Sequence, residues 1–220
     1  MSNRERPILF SGSMVRAILD GNKTQTRRVV KRQRDMEFDL HDPHYGPYWL
    51  SYVAGSAEGD DAKVRCPYGK LGGRVWVREA WGLFNDLGFC DTSCTGLVGL
   101  PDDWHLAYRA DHIDPKHGDG PHRPVWRPSI FMPRWASRIT LEITDVRVEP
   151  LQQISEADAR EEGVTDHQGK WWDGSPVIHG KWTGPREAYQ ALWESINGPG
   201  SWDSNPWVWA VKFRLLEVAS

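Results

Sequence analysis

Ile18-Leu-Asp-Gly-Asn-Lys-Thr-Gln-Thr-Arg-Arg28 is the stretch around which we predict the fold to form. A helix with one apolar face precedes it, because apolar residues recur at helical spacing at Met14, Val15, Ile18 and Leu19. Ser11 or Ser13 can cap the start of this helix, and Gly21 stands where a left-handed turn usually ends one. The residues after Gly21 are then predicted to continue as a strand or an extended loop.

Side chains alternate along an extended segment. The alternation puts one set on one side, namely Lys23, Gln25 and Arg27, and the other set opposite, namely Thr24, Thr26 and Arg28. Hydroxyls beside a cation, directly after a helix, suit a site for an anion or a nucleophile. A solvated basic turn is the alternative interpretation.

Charge is distributed unevenly along the 220 residues. The formal net charge is −3, yet residues 1–34 hold nine Lys and Arg against two Asp and Glu, a net of +7. A basic N-terminal face on an otherwise acidic protein favours a local phosphate contact over the wrapping of a long duplex. A solvated basic segment is again the alternative. The 13 tryptophans are expected to divide between core packing and stacking on bases.

Three cysteines, an odd number, argue against a disulfide framework. The polar N-terminus does not look like a secretory signal, and no apolar window reaches membrane-spanning length. We therefore expect a reduced, cytoplasmic protein with no membrane contact. Cys90 and Cys94, with the histidines of residues 82–128, could bind zinc, but no tight Cys/His quartet completes the set. We accordingly expect no metal and no cofactor.

Period-two alternation predicts strands within residues 74–81, 138–148 and 207–216. In the second of these the buried phase changes near Thr144–Asp145, which indicates a bulge. Helices are predicted near residues 13–20 and 185–197. A short helix follows Ser155, which forms a capping-box pattern with Asp158, and Gly163 ends it.

Short strands, few helices and long loops predict an α+β fold. The most fitting architecture is a small mixed β-barrel with helices packed outside it, in one domain from residue 1 to residue 220. Polar or Trp-rich insertions are expected near residues 31–63, 82–128 and 164–183.

Four pieces of the chain, in this order, resemble an ASCH domain. They are Gly21-Asn-Lys-Thr-Gln-Thr-Arg27, Val75-Trp-Val-Arg-Glu79, Ile154-Ser-Glu-Ala-Asp-Ala-Arg-Glu-Glu-Gly163 and Trp207-Val-Trp-Ala-Val-Lys-Phe213. The resemblance covers nearly the whole chain and implies a PUA-like β-barrel. Pro128-Ser-Ile-Phe-Met-Pro-Arg-Trp-Ala-Ser-Arg138 is similar to the larger branch of the family, which is found in phage and prophage genes.

The resemblance implies an activity as well. Some small bacterial ASCH proteins are amidohydrolases that remove the acetyl group from N4-acetylcytidine, whereas others bind or cleave RNA. In the amidohydrolases the motif lysine, its second threonine and a glutamate near the end of the later short helix form the proposed catalytic set. Lys23, Thr26 and Glu162 match those positions here, and Glu161 is close in register to the third.

The chemistry can also be argued from the residue types, because amide cleavage needs a nucleophile, a base and a group that stabilises an oxyanion. Lys23 can activate the Thr26 hydroxyl only when neutral, and a pKa lowered by about three units corresponds to about 4 kcal/mol. Desolvation and a nearby arginine both lower a lysine pKa. Glu162 acts in the opposite direction, so we expect it to orient the amine or relay the proton.

Substrate choice stays open between a free cytidine-type nucleoside and RNA, because the insertions and two motif positions depart from the small members. At the position of Arg27 the small members often carry a branched apolar residue, and Gln25 replaces another such residue. The predicted substrate-binding residues are Arg27, Arg28, Trp76, Arg78, Glu79, Tyr108 and Trp135. The three aromatic side chains would stack on a base, although core packing is their alternative, and Arg78 and Glu79 could simply pair with each other.

Two further hypotheses follow from the same residues. One is a binding module that reads a modified base in nucleic acid without turnover, and the other, weaker, is a ribonuclease. The accepted acyl group and the oligomeric state stay open.

Overall fold

The computed structural model describes residues 5–31, 36–38, 48–53, 62–85, 104–111, 126–167, 170–172 and 182–218. The helices are α1 (Gly12–Leu19), α2 (Glu156–Glu161) and α3 (Pro185–Asn197). The strands are β1 (Arg6–Leu9), β2 (Gln25–Val29), β3 (Met36–Phe38), β4 (Tyr48–Val53), β5 (Ala62–Arg65), β6 (Arg74–Arg78), β7 (Trp81–Asn85), β8 (Trp104–Tyr108), β9 (Ile139–Pro150), β10 (Thr165–His167), β11 (Lys170–Trp172) and β12 (Trp207–Val218). Within these ranges no helix is long and apolar enough to cross a bilayer.

A five-stranded mixed sheet in the order β1–β6–β9–β12–β2 forms the centre of the structure and confirms an α+β fold. β1 runs parallel to β6, and the remaining pairs are antiparallel. The sheet is open, so the predicted closed barrel is not formed by the described strands. At its two edges, Arg28 Nη2 on β2 donates to the Leu9 carbonyl oxygen on β1 at 2.6 Å. A side chain, rather than a backbone ladder, therefore links the two edges.

The three strands predicted for this sheet are present, with different ends. The first stops at Arg78, and Trp81 begins β7 in a separate two-stranded sheet with β8. The break falls at Glu79, whose backbone N–H donates to the Met132 sulfur instead of continuing the ladder. The predicted bulge in β9 is confirmed, because the pairing with β12 jumps across Thr144.

Short strands occupy parts of the predicted insertions. β3, β4 and β5 form a three-stranded antiparallel sheet, and β10 pairs with β11. β7 extends into the insertion expected near residues 82–128 and β8 lies in it, and β10 and β11 lie in the one expected near residues 164–183. Cys90 and Cys94 lie outside the described residues, as do the other insertion histidines except His105 and His167. That the whole chain forms one domain stays a prediction.

Both faces of the central sheet are buried. On one face Trp209, Val211 and Phe213 join a cluster with Val15 and Ile18 of α1. On the other face Val208 packs with α2 and α3, which contribute Ala159, Tyr189, Leu192 and Trp193 to a second cluster. Side chains of β12 point alternately to the two faces, so this one strand connects the two clusters.

The end of α2 is shaped by Gly163. Ser155 and Asp158 form the predicted capping box at the start of the helix, and Gly163 has a φ of 97° just after its end. A Cβ on Gly163 would lie 3.2 Å from the Cβ atoms of both Ala17 and Lys23. Glycine at this position therefore lets the end of α2 approach α1 and the segment that follows it.

We expect Gly163→Ala to lower the free energy of unfolding by about 1–3 kcal/mol, because it adds a strained φ and two close contacts. Urea denaturation measures the change. Gly21→Ala is the matched control: its φ is also positive, at 75°, but no atom lies within 4 Å of the added carbon. The control should cost about 1 kcal/mol, and equal losses in the two variants would contradict a packing role for Gly163.

Candidate functional site

The segment after α1 is held against the end of α2 by backbone hydrogen bonds. Gly21 makes the left-handed turn that ends α1, and the Lys23 N–H then donates to the Ala17 carbonyl oxygen at 2.9 Å. The Thr24 N–H donates to the Glu161 carbonyl oxygen at 2.8 Å. These contacts place Lys23 directly opposite Glu162, although the two residues are 139 positions apart.

Lys23 and Glu162 form a buried ion pair. The Lys23 ammonium donates to Glu162 Oε2 at 2.8 Å and to the Glu162 backbone oxygen at 2.7 Å. The Lys23 side chain has no exposed surface, and that of Glu162 is 3 % exposed. Burial lowers the pKa of Lys23 below its usual range, although the charge of Glu162 opposes the shift. Arg28 and Arg27 add smaller effects that also lower it.

Arg27 is surrounded by three carboxylates. Its Nη1 donates to Glu162 Oε1 at 3.2 Å, and its Nη2 donates to Glu149 Oε1 on β9 at 2.6 Å. The same Nη2 lies 3.5 Å from Asp158 Oδ2 on α2. Gln25 Nε2 also donates to Asp158, at 3.2 Å. The predicted alternation is therefore confirmed, since Lys23, Gln25 and Arg27 all reach the acidic end of α2.

Thr26 lines a cleft of about 170 Å³ beside the edge strand β2. Polar side chains of the cleft are Thr26, Arg27, Arg28, Tyr68, Glu162, Tyr189 and Asn197, and its apolar walls include Met14 of α1 and Leu192, Trp193 and Ile196 of α3. Thr26 itself is 2 % exposed. Within the described ranges no side-chain hydrogen bond holds its hydroxyl. Thr26 and Glu162 both line the cleft, whereas Lys23 does not line it and contacts Glu162 from within the protein.

The sequence reasoning missed several residues of this site. Glu149 was not singled out, Asp158 was predicted only as a helix cap, and Tyr189 was included only in the helix predicted near residues 185–197. Burial raises the pKa of Tyr189 well above its usual range, so the phenol stays protonated and can donate a hydrogen bond in the cleft. Tyr189 lies on the buried face of α3, and a buried tyrosine usually directs its hydroxyl to a partner or a cavity.

Of the seven predicted substrate-binding residues, Arg27 and Arg28 line the described cleft and the other five do not. The remaining five lie near the segment of residues 126–138. Trp76 is buried beneath two guanidinium groups, with Arg78 at 4.8 Å and Arg134 at 5.9 Å from its ring centre. Trp135 packs edge-on against Trp81, with ring centres 5.9 Å apart.

A second buried ion cluster holds Glu79 and Tyr108. Arg138 donates to both carboxylate oxygens of Glu79, at 3.0 and 3.2 Å, and also to Asp111. The Arg138 guanidinium lies 4.0 Å from the centre of the Tyr108 ring, and the Tyr108 hydroxyl donates to the Ala136 carbonyl oxygen. Glu79 therefore pairs with Arg138 and not with Arg78. This cluster joins β8 to the end of β6, away from the cleft residues.

The cleft holds a hydroxyl that no described side chain binds, together with N–H and O–H donors, and Glu162 connects it to an amine whose pKa is lowered. No family model, curated protein or solved structure matches this chain. The interpretation of the site therefore depends on its own geometry and chemistry.

Asp158 makes the stability of the site depend on pH. Desolvation alone would raise its pKa, but hydrogen bonds from Ser155 and Gln25, with the charges of Arg27 and Arg147, lower the pKa to about 2. A carboxyl whose pKa is lower in the folded state stabilises the fold above its unfolded pKa, and this stabilisation is lost as the pH falls through the folded pKa.

We expect the parent protein to lose about 1–2 kcal/mol between pH 4 and pH 2 because of Asp158. Asp158→Asn should be less stable at pH 7 by a similar amount and show less change over that range. Urea unfolding at several pH values measures both. Glu156→Gln, an exposed carboxylate on the same helix, should change the stability by about 0.5 kcal/mol or less. Identical acid profiles for the parent and Asp158→Asn would contradict the assignment.

Proposed function

We propose that this chain is an ASCH-type amidohydrolase that removes the acyl group from N4-acylated, cytidine-type nucleosides, acting in the cytoplasm on a PUA-like scaffold. The observation that carries the proposal is that Glu162 belongs both to a buried ion pair with Lys23 and to the lining of the cleft. Thr26 lines the same cleft, and no described residue holds its hydroxyl by a side-chain hydrogen bond. The open sheet with linked edges is compatible with a PUA-like arrangement whose closure is incomplete.

The reaction proceeds through an ester on Thr26. The Thr26 oxygen bonds to the acyl carbonyl carbon while its proton passes to the neutral amine of Lys23. The bond from the carbonyl carbon to N4 then breaks, and the Lys23 ammonium gives its proton to the leaving nitrogen. Water hydrolyses the ester in the same way, so the products are cytidine and a carboxylic acid, and Thr26 is regenerated.

Glu162 orients Lys23 in this mechanism. Its side chain and its backbone oxygen accept two of the N–H bonds of the Lys23 ammonium. The amine is thereby held in one rotamer, and in the proposed mechanism its lone pair accepts the Thr26 proton. The phenol of Tyr189 and the guanidinium of Arg28 are the donors in the cleft that can stabilise the developing oxyanion.

The size of the cleft supports a small, single-ring substrate group. Its volume of about 170 Å³ is close to the roughly 150 Å³ of an apolar cavity that accommodates benzene. One pyrimidine ring fits such a space, whereas the sugar must extend toward the mouth.

A binding module that reads a modified base is the second candidate. One observation favours it: the contacts of 2.7 and 2.8 Å describe Lys23 as an ammonium in a closed ion pair, which can also be a purely structural contact. In that case the cleft would hold the base of a modified RNA, and no product would form.

We expect Lys23→Ala and Thr26→Ala each to lower the deacylation of N4-acetylcytidine by at least about 100-fold, because the base and the nucleophile act as one unit. The double variant should lose little more than either single variant. Cytidine release followed by chromatography measures the rates, and circular dichroism shows whether each variant is folded.

Thr24→Ala is the matched control, two positions away in the same motif, and Thr24 is not among the residues that line the described cleft. It should keep most of the activity. Loss of activity in Thr24→Ala with an active Thr26→Ala would show that the nucleophile is wrong. A parent protein that releases no cytidine but binds N4-acetylcytidine-containing RNA tightly would replace the enzyme with the binding module.

A further inference from the structure

Arg27 holds the Glu162 carboxylate from the side opposite Lys23. Glu162 Oε2 accepts from Lys23 at 2.8 Å, and Glu162 Oε1 accepts from Arg27 Nη1 at 3.2 Å. Both cationic side chains are fully buried. A carboxylate fixed through both oxygens cannot rotate about its terminal bond without breaking one of these contacts.

Arg27 is itself held by residues from three other elements. Its Nη2 lies 2.6 Å from Glu149 Oε1 on β9 and 3.5 Å from Asp158 Oδ2 on α2. The centre of the Tyr189 ring on α3 lies 6.0 Å from the guanidinium carbon. The planar fork of arginine suits two carboxylates at once, which the single nitrogen of a lysine cannot match. These contacts therefore hold the Arg27 guanidinium in a fixed position beside Glu162.

We propose that Arg27 is a positioning residue that fixes the Glu162 carboxylate through Nη1, while Glu149 anchors its Nη2, so that the Lys23–Glu162 pair is kept in one geometry. The effect on turnover rests on the proposed function, whereas the effect on Lys23 does not. This role differs from the direct substrate contact that the sequence suggested for Arg27.

The charges around Lys23 give this arrangement a measurable consequence. The groups that face its ammonium are Glu162 at the end of α2 and the guanidinium groups of Arg28 and Arg27 on β2, and the neighbouring Phe10 ring is uncharged. Arg27 acts on Lys23 by direct repulsion and by neutralising Glu162. Removing Arg27 therefore favours the protonated form of Lys23 and raises its pKa.

The test is a pH titration of the Lys23 side chain by NMR in protein labelled at the lysine ε-carbon, with Lys23→Arg to assign the signal. In Arg27→Met we expect the Lys23 midpoint to rise by about one pH unit, the scale of one removed charge at close range. With N4-acetylcytidine, the acidic limb of the kcat profile should shift by the same amount, so that kcat at pH 7 falls about tenfold.

Arg147→Met is the matched control. Arg147 contacts Glu149 and Asp158 in the same network, at 3.4 and 3.3 Å, but has no described contact with Glu162. In Arg147→Met the midpoint of the Lys23 titration should stay at the parental value. Because Arg27→Met removes one cation from this group of carboxylates, the charge-balanced double variant Arg27→Met/Glu149→Gln carries the same expectation if the single variant does not fold.

An unchanged Lys23 midpoint in the Arg27 variants overturns the proposal, as does an equal shift in Arg147→Met. A parent protein with no amidohydrolase activity would remove the proposed function, but the NMR titration would still decide the role of Arg27. The two failures are therefore distinguishable.

Discussion

The rest of the site depends on the buried ion pair between Lys23 and Glu162. Transferring a charge from water into a protein interior costs several kcal/mol for each ion, so a buried pair persists only where its remaining hydrogen-bonding groups are satisfied. Here the same requirement involves further residues. Glu162 accepts hydrogen bonds from Arg27 as well as from Lys23, and Arg27 donates to Glu149 as well as to Glu162. The positions of β2, β9 and the end of α2 are thereby set by charge matching as well as by apolar packing.

Long elements of the fold could be predicted because each repeats its pattern many times. β9 and β12 have twelve residues each, enough for the alternation, and even the bulge at Thr144, to appear in the sequence. β3, β10 and β11 have three residues each, which is too few to separate a strand from a polar loop. Barrel closure could not be predicted either, because it depends on how the edges β1 and β2 meet in space.

The candidate site was predicted to the extent that its residues share one local motif. Lys23 and Thr26 are three positions apart, and the short helix that ends in Glu162 has clear start and stop signals. Glu149 and Tyr189 come from elements whose contact with β2 is made only by the tertiary fold. Nothing in the order of residues along β9 distinguishes Glu149 from an exposed strand glutamate. Its role appears only when the fold brings it to the buried arginine of β2, which lies beyond β12 in the sheet.

This dependence implies that residues 27, 149 and 158 act as one unit. Were position 27 apolar, Glu149 and Asp158 would lose the cation that lies 2.6 and 3.5 Å from them and would keep only the partly exposed Arg147 as a shared partner. Removing one partner of a charge pair is more destabilising than replacing both partners by apolar groups. Arginine at 27 and glutamate at 149 are thus expected to vary together. The same coupling limits how the site can vary, because a smaller side chain at 27 would both enlarge the cleft and release the Glu162 carboxylate.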